Sequence, residues 1–374
     1  METTLETLKT NPIIQNFIQD RVKFPHKFPT AIHPDDEMYL FSLKNLNGDK
    51  QAACIRYYSL GQRIFDAVKQ IVEWQFQNFD NNVSSFLDFA CGYGRFSRYL
   101  LQELSPQQIW VSDISANAVK FQTEQFNVNG IVSTNYPKDY PGEGKFDCIL
   151  AASFFSHVPK NTFADWVEKL YSLLSPQGIL IFSVHDLTLL PADVAQKSEG
   201  FYFVPESENT TLDRQLYGTT YVSEAFVSQV LAEKLGAAVT YYRIEKGLCR
   251  HQDIYIAVKH PVQEFSSLNF SHHPEGGLET CQITTDGKIY LAGWALDFNR
   301  DSKVEQIQII VNGKLVQSCI PDCDRNKTTD LRSGWTCYSE TDTIRPDDVL
   351  IVKAINSREL ERVLAANKLA AMFC

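Results

Sequence analysis

FLDFACGYGR, residues 86–95, reads as a buried apolar strand that runs into a glycine-bearing turn and then a helix. Phe86, Leu87 and Phe89 supply the strand, and Gly92 and Gly94 supply a turn whose backbone can pass close to a ligand. FSRYLLQEL at 96–104 then opens a helix. A ligand placed here rests against the turn and the helix N-terminus. Beyond that helix a second apolar strand, IWVSD, ends in Asp113. A carboxylate at the carboxyl end of a second parallel strand accepts hydrogen bonds from both hydroxyls of a ribose. Strand, glycine turn, helix, strand and acid make the nucleoside half-site of a doubly wound sheet. The plainer reading of Asp113 is an acid at a helix N-terminus.

Two ligand classes use this geometry. A dinucleotide fingerprint needs G-x-G-x-x-G/A, so that backbone N–H groups and the helix dipole meet a pyrophosphate. Here the third position is Ser97, and the strand carries Asp88, four residues before Gly92. An acid there repels a pyrophosphate and suits a cationic amino-acid end such as that of S-adenosylmethionine. The run D-x-A-C-G-x-G-R resembles motif I of the class I S-adenosylmethionine-dependent methyltransferases, whose usual form has glycine where this chain has Ala90. KFDCILAASFFSHVP at 145–159 is similar to the fourth motif of that family, and LSPQGILIFSVHD at 174–186 to the helix-to-strand turn that follows it, usually written L-x-P-G-G-x-L. Gln177 replaces the first glycine of that turn, which leaves Gly178 to supply a positive φ. The strand patterns AVTYYRIEKG and QDIYIAVK resemble the hairpin that closes the family's fold, with its last strand antiparallel.

The fold class expected is α/β: a doubly wound, Rossmann-like class I methyltransferase sheet with an N-terminal helical cap and a C-terminal all-β sandwich. Residues 1–82 are helical in pattern, broken by Pro25, Pro29 and Pro34, and read as a cap over the site; 83–260 form the methyltransferase domain; 261–374 form the β-sandwich. The segment 187–218 is a long insertion with aromatics and mixed charge, a lid by its length. HPVQEFSSLNFSHHPEGG from 260 is linker-like, with His272 and His273 solvated. The dipeptides Asp286-Gly287 and Asn312-Gly313 signal hairpins. GKIYLAGWALD, with V-x-x-I-x-I-x-VNG after it, resembles immunoglobulin-like accessory domains of glycan-related enzymes, which implies an interaction or assembly module. The alternative is a structural appendage around a buried Trp294.

The resemblance carries roles to individual residues. Asp88 acts on the methionine amino end, and the turn Ala90, Cys91, Gly92, Tyr93 and Gly94 meets the amino-acid portion. Asp113 binds the ribose, Ile114 packs on the adenine, and Asn135 either reads the adenine amino group or serves a turn. Ala152 and Ser153 line the cofactor after the fourth strand. Tyr58 and Gly61, in RYYSLGQR, either lie over the cofactor or pack a helix. Methyl transfer from a sulfonium is an in-line displacement, so alignment and water exclusion do most of the work. A base is needed only where the acceptor must lose a proton. His157 and His185 fall at the carboxyl rim of the sheet and are candidates for it, with helix capping or loop orientation as the alternative for His157. Tyr217 and Tyr221 are candidate substrate contacts, and no metal is expected.

The bulk composition bounds the function. The net charge of −10 argues against nucleic acid or an anionic membrane as main partner. No apolar run reaches the ~20 residues that span a bilayer, and METTLETLKT lacks a targeting pattern, so a cytoplasmic location is expected. Nine scattered cysteines without C-x-x-C spacing indicate neither a disulfide framework nor a zinc site. The reading is therefore an enzyme with S-adenosyl-L-methionine as cofactor and a small-molecule or glycan-type acceptor, methylated at oxygen, with any protein or self-association falling to the β domain. The rivals are a small-molecule N-methyltransferase and a non-catalytic cofactor-binding protein.

Overall fold

The computed structural model describes residues 11–206, 212–284, 286, 288–300, 302–322, 333–339, 345 and 347–372. It forms two compact units, one of Ala67–Phe270 and one of Met1–Asp66 with Ser271–Cys374. The second unit begins with helices α1 (Pro12–Gln19) and α2 (Glu37–Asn45). Asn11 caps α1 by accepting from the Ile13 amide at 2.9 Å, and Pro12 fits a first-turn position whose N–H would have no partner. Asp36 caps α2 and also accepts from the Tyr57 hydroxyl at 2.6 Å. Helix α3 (Lys50–Phe76) carries residues of both units.

In the unit Ala67–Phe270 the apolar runs become β1 (Phe86–Phe89), β2 (Ile109–Asp113), β3 (Asn129–Val132), β4 (Phe146–Ala151) and β5 (Leu174–Asp186), parallel in the order 3-2-1-4-5. β1 is buried at every position, as a central parallel strand covered on both faces must be. The intervening helices are α4 (Ser97–Leu100), a single turn shorter than 96–104 suggests, α5 (Ala116–Phe126) and α6 (Lys160–Ser172). Ser115 caps α5 through the Ala118 amide. Phe163, Trp166, Val167 and Leu170 of α6 pack on Leu87, Phe89, Ile149 and Phe182 of the sheet. Trp166 is 1% exposed, so truncating it to alanine costs about 3–5 kcal/mol.

The insertion holds α7 (Ala192–Lys197) and β6 (Phe201–Val204), which pairs with β7 (Thr219–Val222); residues 207–211 of it lie outside the described residues. β7 runs parallel to the end of β5 at His185 and Asp186, so this segment extends the sheet. After α8 (Glu224–Leu235) come β8 (Thr240–Leu248) and β9 (Gln252–Val258), with β9 antiparallel between β5 and β8. The segment expected as a turn, residues 174–178, instead forms the start of β5. Gly178 has no positive φ, and a Cβ there would lie 2.7 Å from the Phe146 carbonyl oxygen. Glycine is needed for close strand approach, not for a left-handed turn.

The C-terminal strands β10 (Glu275–Ile283), β11 (Ile289–Leu296), β12 (Val304–Val311), β13 (Lys314–Cys319), β14 (Gly334–Ser339), β15 (Val349–Asn356) and β16 (Glu361–Lys368) form two antiparallel sheets, 10-11-14 and 13-12-15-16. Ile289, Leu291 and Trp335 of one meet Ile307, Ile309, Leu350 and Val352 of the other in a shared core. Asn312 (φ 51°) and Gly313 (φ 79°) make the expected two-residue hairpin turn, whereas Gly287 lies outside the described residues. The buried tryptophan is Trp335, not Trp294: strand alternation turns Ile289, Leu291, Gly293 and Ala295 inward and leaves Trp294 half-buried.

The N-terminal helices belong to the same compact unit as this sandwich. Glu275 receives Arg63 at 2.8 Å and Arg362 at 3.1 Å, and Glu361 receives Arg21 and, at 2.9 Å, Lys353. His273 is buried, with its Nε2 2.9 Å from Asp66. The linker composition around it had suggested a solvated histidine; the partner that overrides this lies 207 residues away. Among the described residues no helix is long and apolar enough to cross a membrane.

Candidate functional site

The turn after β1 is held from three sides. Asp113 accepts from the Gly92 amide and from the Ser115 amide, each at 2.8 Å, which ties the turn to the end of β2. Gln122 of α5, fully buried, donates to the Gly92 carbonyl at 2.8 Å and to Cys91 Sγ at 3.1 Å. Arg98, also fully buried, donates to the Gly94 carbonyl at 2.8 Å. Ala90, Gly92 and Gly94 have φ of 58°, 53° and 83°. The first value explains why glycine is usual at the Ala90 position, since a Cβ in the left-handed region costs about 1–2 kcal/mol. A Cβ on Gly92 would meet nothing within 4 Å, so this turn leaves space beside its backbone, as a ligand cradle must.

Asp88 is 3% exposed and accepts from Ser97 Oγ at 2.5 Å. Burial, reinforced by the charge of Asp113, pushes its carboxyl up to about 7, against the Ser97 hydrogen bond. Burial also raises Asp113, opposed by the amides of Ser115, Gly92 and Ile114. Burial lifts the Cys91 thiol well above its ordinary range, which fits a packing role and not a nucleophilic one. Tyr93 and Ile114 are half-buried, the Tyr93 ring lying edge-on to Phe121 at 5.9 Å. Asn135 is exposed after β3. Ala152 and Ser153 follow β4, where Ser153 takes φ 58° and donates its amide to Ser183 Oγ at 2.7 Å. Tyr58 is 2% exposed, and its hydroxyl donates to the Thr30 carbonyl at 2.9 Å beside Phe28 and Tyr57. Gly61 is buried in the same helix.

A second cluster collects at the carboxyl ends of β4 and β5. His157 lies in the loop after β4, where Nδ1 sits 2.7 Å from the Gly218 carbonyl and the ring stacks on Tyr217 at 4.5 Å. Backbone bonds from Gly218 to His157 and from Thr220 to Ser156 lace this loop to the strand of the insertion. A carbonyl can only accept, so Nδ1 carries the proton and Nε2 keeps its lone pair. Burial lowers the His157 pKa against that hydrogen bond, which keeps the ring neutral near pH 7. His185, at the end of β5, faces Tyr221 and His251 with ring centroids 5.2 Å away in each case. Burial, with His251 and His157 nearby, pulls it down to about 4. His251 follows a tight turn in which Cys249 (φ 51°) and Arg250 (φ 60°) are both left-handed, a conformation that asparagine and glycine usually supply.

The site thus contains the turn, Asp88 and Asp113, and a rim of His157, His185, Tyr217 and Tyr221. Sequence reading missed Gln122, whose role depends on α5 packing against the turn, and Arg98, which holds the turn from four residues away while fully buried. Among the described residues no cluster of histidine, cysteine or acidic side chains is placed to hold a metal. Two surface grooves flank α6, one beside Lys160 and Phe226 and the other beside Tyr136 and Lys169, and neither includes the turn or Asp113.

Residues 87–180 match the family model described as a methyltransferase domain. With the 3-2-1-4-5 sheet, its inserted antiparallel strand and the glycine turn facing Asp113, that match marks residues 87–180 as a methyltransferase domain in a Rossmann-like methyltransferase fold, and the protein as an enzyme with S-adenosylmethionine as its cofactor. The residues present fit the cofactor, with open space at Gly92 and a carboxylate ending β2. Solved structures that resemble the chain include the 1,6-didemethyltoxoflavin-N1-methyltransferase of Burkholderia thailandensis, at 15% identity over 61% of this chain and 92% of that one, with TM-score 0.37. The magnesium protoporphyrin IX methyltransferase of Synechocystis PCC 6803 is 16% identical over 60% and 96%, with TM-score 0.40. The plantazolicin methyltransferase BpumL is 12% identical over 70% and 100%, with TM-score 0.41. No curated protein matches the chain.

Proposed function

We propose that the chain methylates an oxygen of a small-molecule or saccharide-linked acceptor and that His157 takes up the acceptor's proton. The observation that carries this reading is the His157 ring, oriented by the Gly218 carbonyl at 2.7 Å with Nε2 left to accept. A neutral imidazole held in one tautomer by a backbone carbonyl is the form a general base needs. His185 suits that task less well, because its low pKa makes it a weak base. The saccharide element rests only on the β domain's resemblance to accessory modules of glycan-related enzymes.

The cofactor supplies an electrophilic methyl group on a sulfonium. Asp113 would hold its ribose hydroxyls, and the turn from Ala90 to Gly94, with Asp88 beneath it, its amino-acid end. Ile114 and Asn135 would frame the adenine, and Ala152 and Ser153 the wall beyond β4. Tyr217, stacked on His157, and Tyr221, beside His185, would border the acceptor.

The test supplies methyl-labelled S-adenosylmethionine with a small-molecule and glycan extract and follows the label. Label in an alkali-labile ester or a stable ether supports oxygen methylation, and label in an amine replaces it with nitrogen methylation. Cofactor binding without transfer to any fraction sinks the enzymatic reading. His157→Gln should lower kcat by about 10²–10⁴-fold with unchanged cofactor affinity, the usual worth of a general base.

A further inference from the structure

Gln252, the first residue of β9, is 8% exposed and sits between the cofactor-side loop and His185. Its amide orientation is fixed by what surrounds it. Ser183 Oγ receives the Ser153 amide at 2.7 Å and donates to Gln252 at 2.6 Å, while Ser156 Oγ, whose own proton goes to the Ser153 carbonyl at 2.7 Å, receives the other amide atom of Gln252 at 3.5 Å. Ser153 Oγ donates to the same amide atom as Ser183 does, at 3.2 Å. An atom that receives two hydroxyl protons is the carbonyl oxygen, so the other is the NH₂ group, and it faces His185 Nε2 at 3.2 Å. An N–H can only donate, so His185 Nε2 must present a lone pair. The ring proton then sits on Nδ1, which is buried and has no hydrogen-bond partner among the described residues.

The geometry points to Gln252 as a positioning residue that locks His185 in its Nδ1-protonated neutral tautomer and withdraws it from proton abstraction. Protonating Nε2 would set an N–H against the Gln252 N–H, and no neighbour offers compensation. The groups facing the ring are His157 from the β4 loop, Tyr221 from β7 and His251 from the β8–β9 turn. The nearby carboxylates Asp186 and Asp253 are engaged by Arg243 at 3.1 and 2.8 Å. The importance of this arrangement for methyl transfer rests on the acceptor site proposed above; the tautomer itself does not. It leaves His157 as the ring with an available lone pair, two imidazoles of one tautomer but different duties.

The experiment is nitrogen-15 NMR of the histidine-labelled full chain, wild type and Gln252→Glu, between pH 5 and 8. The wild-type His185 should show a protonated Nδ1 and a bare Nε2 across that range. In Gln252→Glu the carboxylate accepts where the amide donated, so the proton should move to Nε2 and the titration should rise from about 4 to above the ordinary 6.5. An Nε2-protonated wild type, or a spectrum unchanged by Gln252→Glu, overturns the proposal. Steady-state kinetics should show Gln252→Glu shifting the pH profile, because a charged His185 would face the His157 ring at 6.5 Å, with cofactor affinity intact. Should no acceptor be turned over by the wild type, the acceptor reading falls while the tautomer assignment stands on the spectra.

Discussion

Gly92 and Gly94 have similar backbone conformations and different surroundings, so the same substitution should fail in two different ways. At Gly94 a Cβ would stand 2.4 Å from Phe126 Cε2 and 2.8 Å from Gln122 Oε1. Phe126 is 3% exposed and Gln122 fully buried, so neither can swing into solvent. Adding about 1–2 kcal/mol for a left-handed alanine to about 1–3 kcal/mol for overpacking, Gly94→Ala should destabilise the fold by about 2–5 kcal/mol. At Gly92 the left-handed term acts alone, offset in part by the lower unfolded-state entropy of alanine, so stability should fall by only about 1 kcal/mol. The new methyl group would instead occupy the space the turn keeps open, and affinity for S-adenosylhomocysteine should drop at least tenfold, about 1.4 kcal/mol. Urea denaturation measures the first quantity and titration calorimetry the second. Equal destabilisation by the two variants, or unchanged affinity in Gly92→Ala, would refute the reasoning.

Ala90→Gly should stabilise the chain by about 0.5–1 kcal/mol, the relief of a left-handed alanine less the added unfolded-state entropy of glycine; a lower melting temperature would remove the strain argument. Asp88, raised from 3.8 to about 7, keeps its proton in the folded chain where the unfolded chain has lost it. Stability should therefore fall as pH rises between these values, by about 4 kcal/mol at most, and Asp88→Asn should flatten that decline in denaturation series from pH 4 to pH 8. Cofactor affinity, if the cationic end meets Asp88, should rise with pH through neutrality in the wild type and not in Asp88→Asn. Glu275→Ala leaves the Arg63 guanidinium, 3% exposed, without its carboxylate, and should cost about 3–5 kcal/mol in chemical denaturation of the unit that contains both residues; a loss under about 1 kcal/mol would show that the pair is solvent-screened.

The parts legible in the sequence are those carried by local pattern. The run Phe86–Phe89 followed by two glycines, the acid ending IWVSD, and Asn312-Gly313 each encode their structure within a few residues. Where the structure departs from expectation, a distant partner decides. His273 sits in a polar linker-like stretch yet pairs with Asp66; Gly178 is glycine because the Phe146 carbonyl approaches it; Trp294 yields the core to Trp335 through strand register. The site shows the same division. The placement of Asp113 against the turn Ala90–Gly94 could be read from spacing, whereas Gln122 and Gln252 are ordinary polar residues until α5 and β9 bring them against the turn and His185. His157 and His185 look alike in sequence and differ in their neighbours alone.

The strand β7 has a consequence for time. A loop of this length would be expected to move freely, on the nanosecond to microsecond scale. Here the Gly218 and Thr220 amides bond to the backbone of the β4 loop, and β7 adds to the end of β5. Displacing this strand, a wall of the proposed acceptor site, means breaking sheet pairing, a local unfolding event of microseconds or longer. Amide hydrogens at 218 and 220 should accordingly exchange with solvent as slowly as those of an interior strand, and acceptor entry would be paced by opening of the sheet edge.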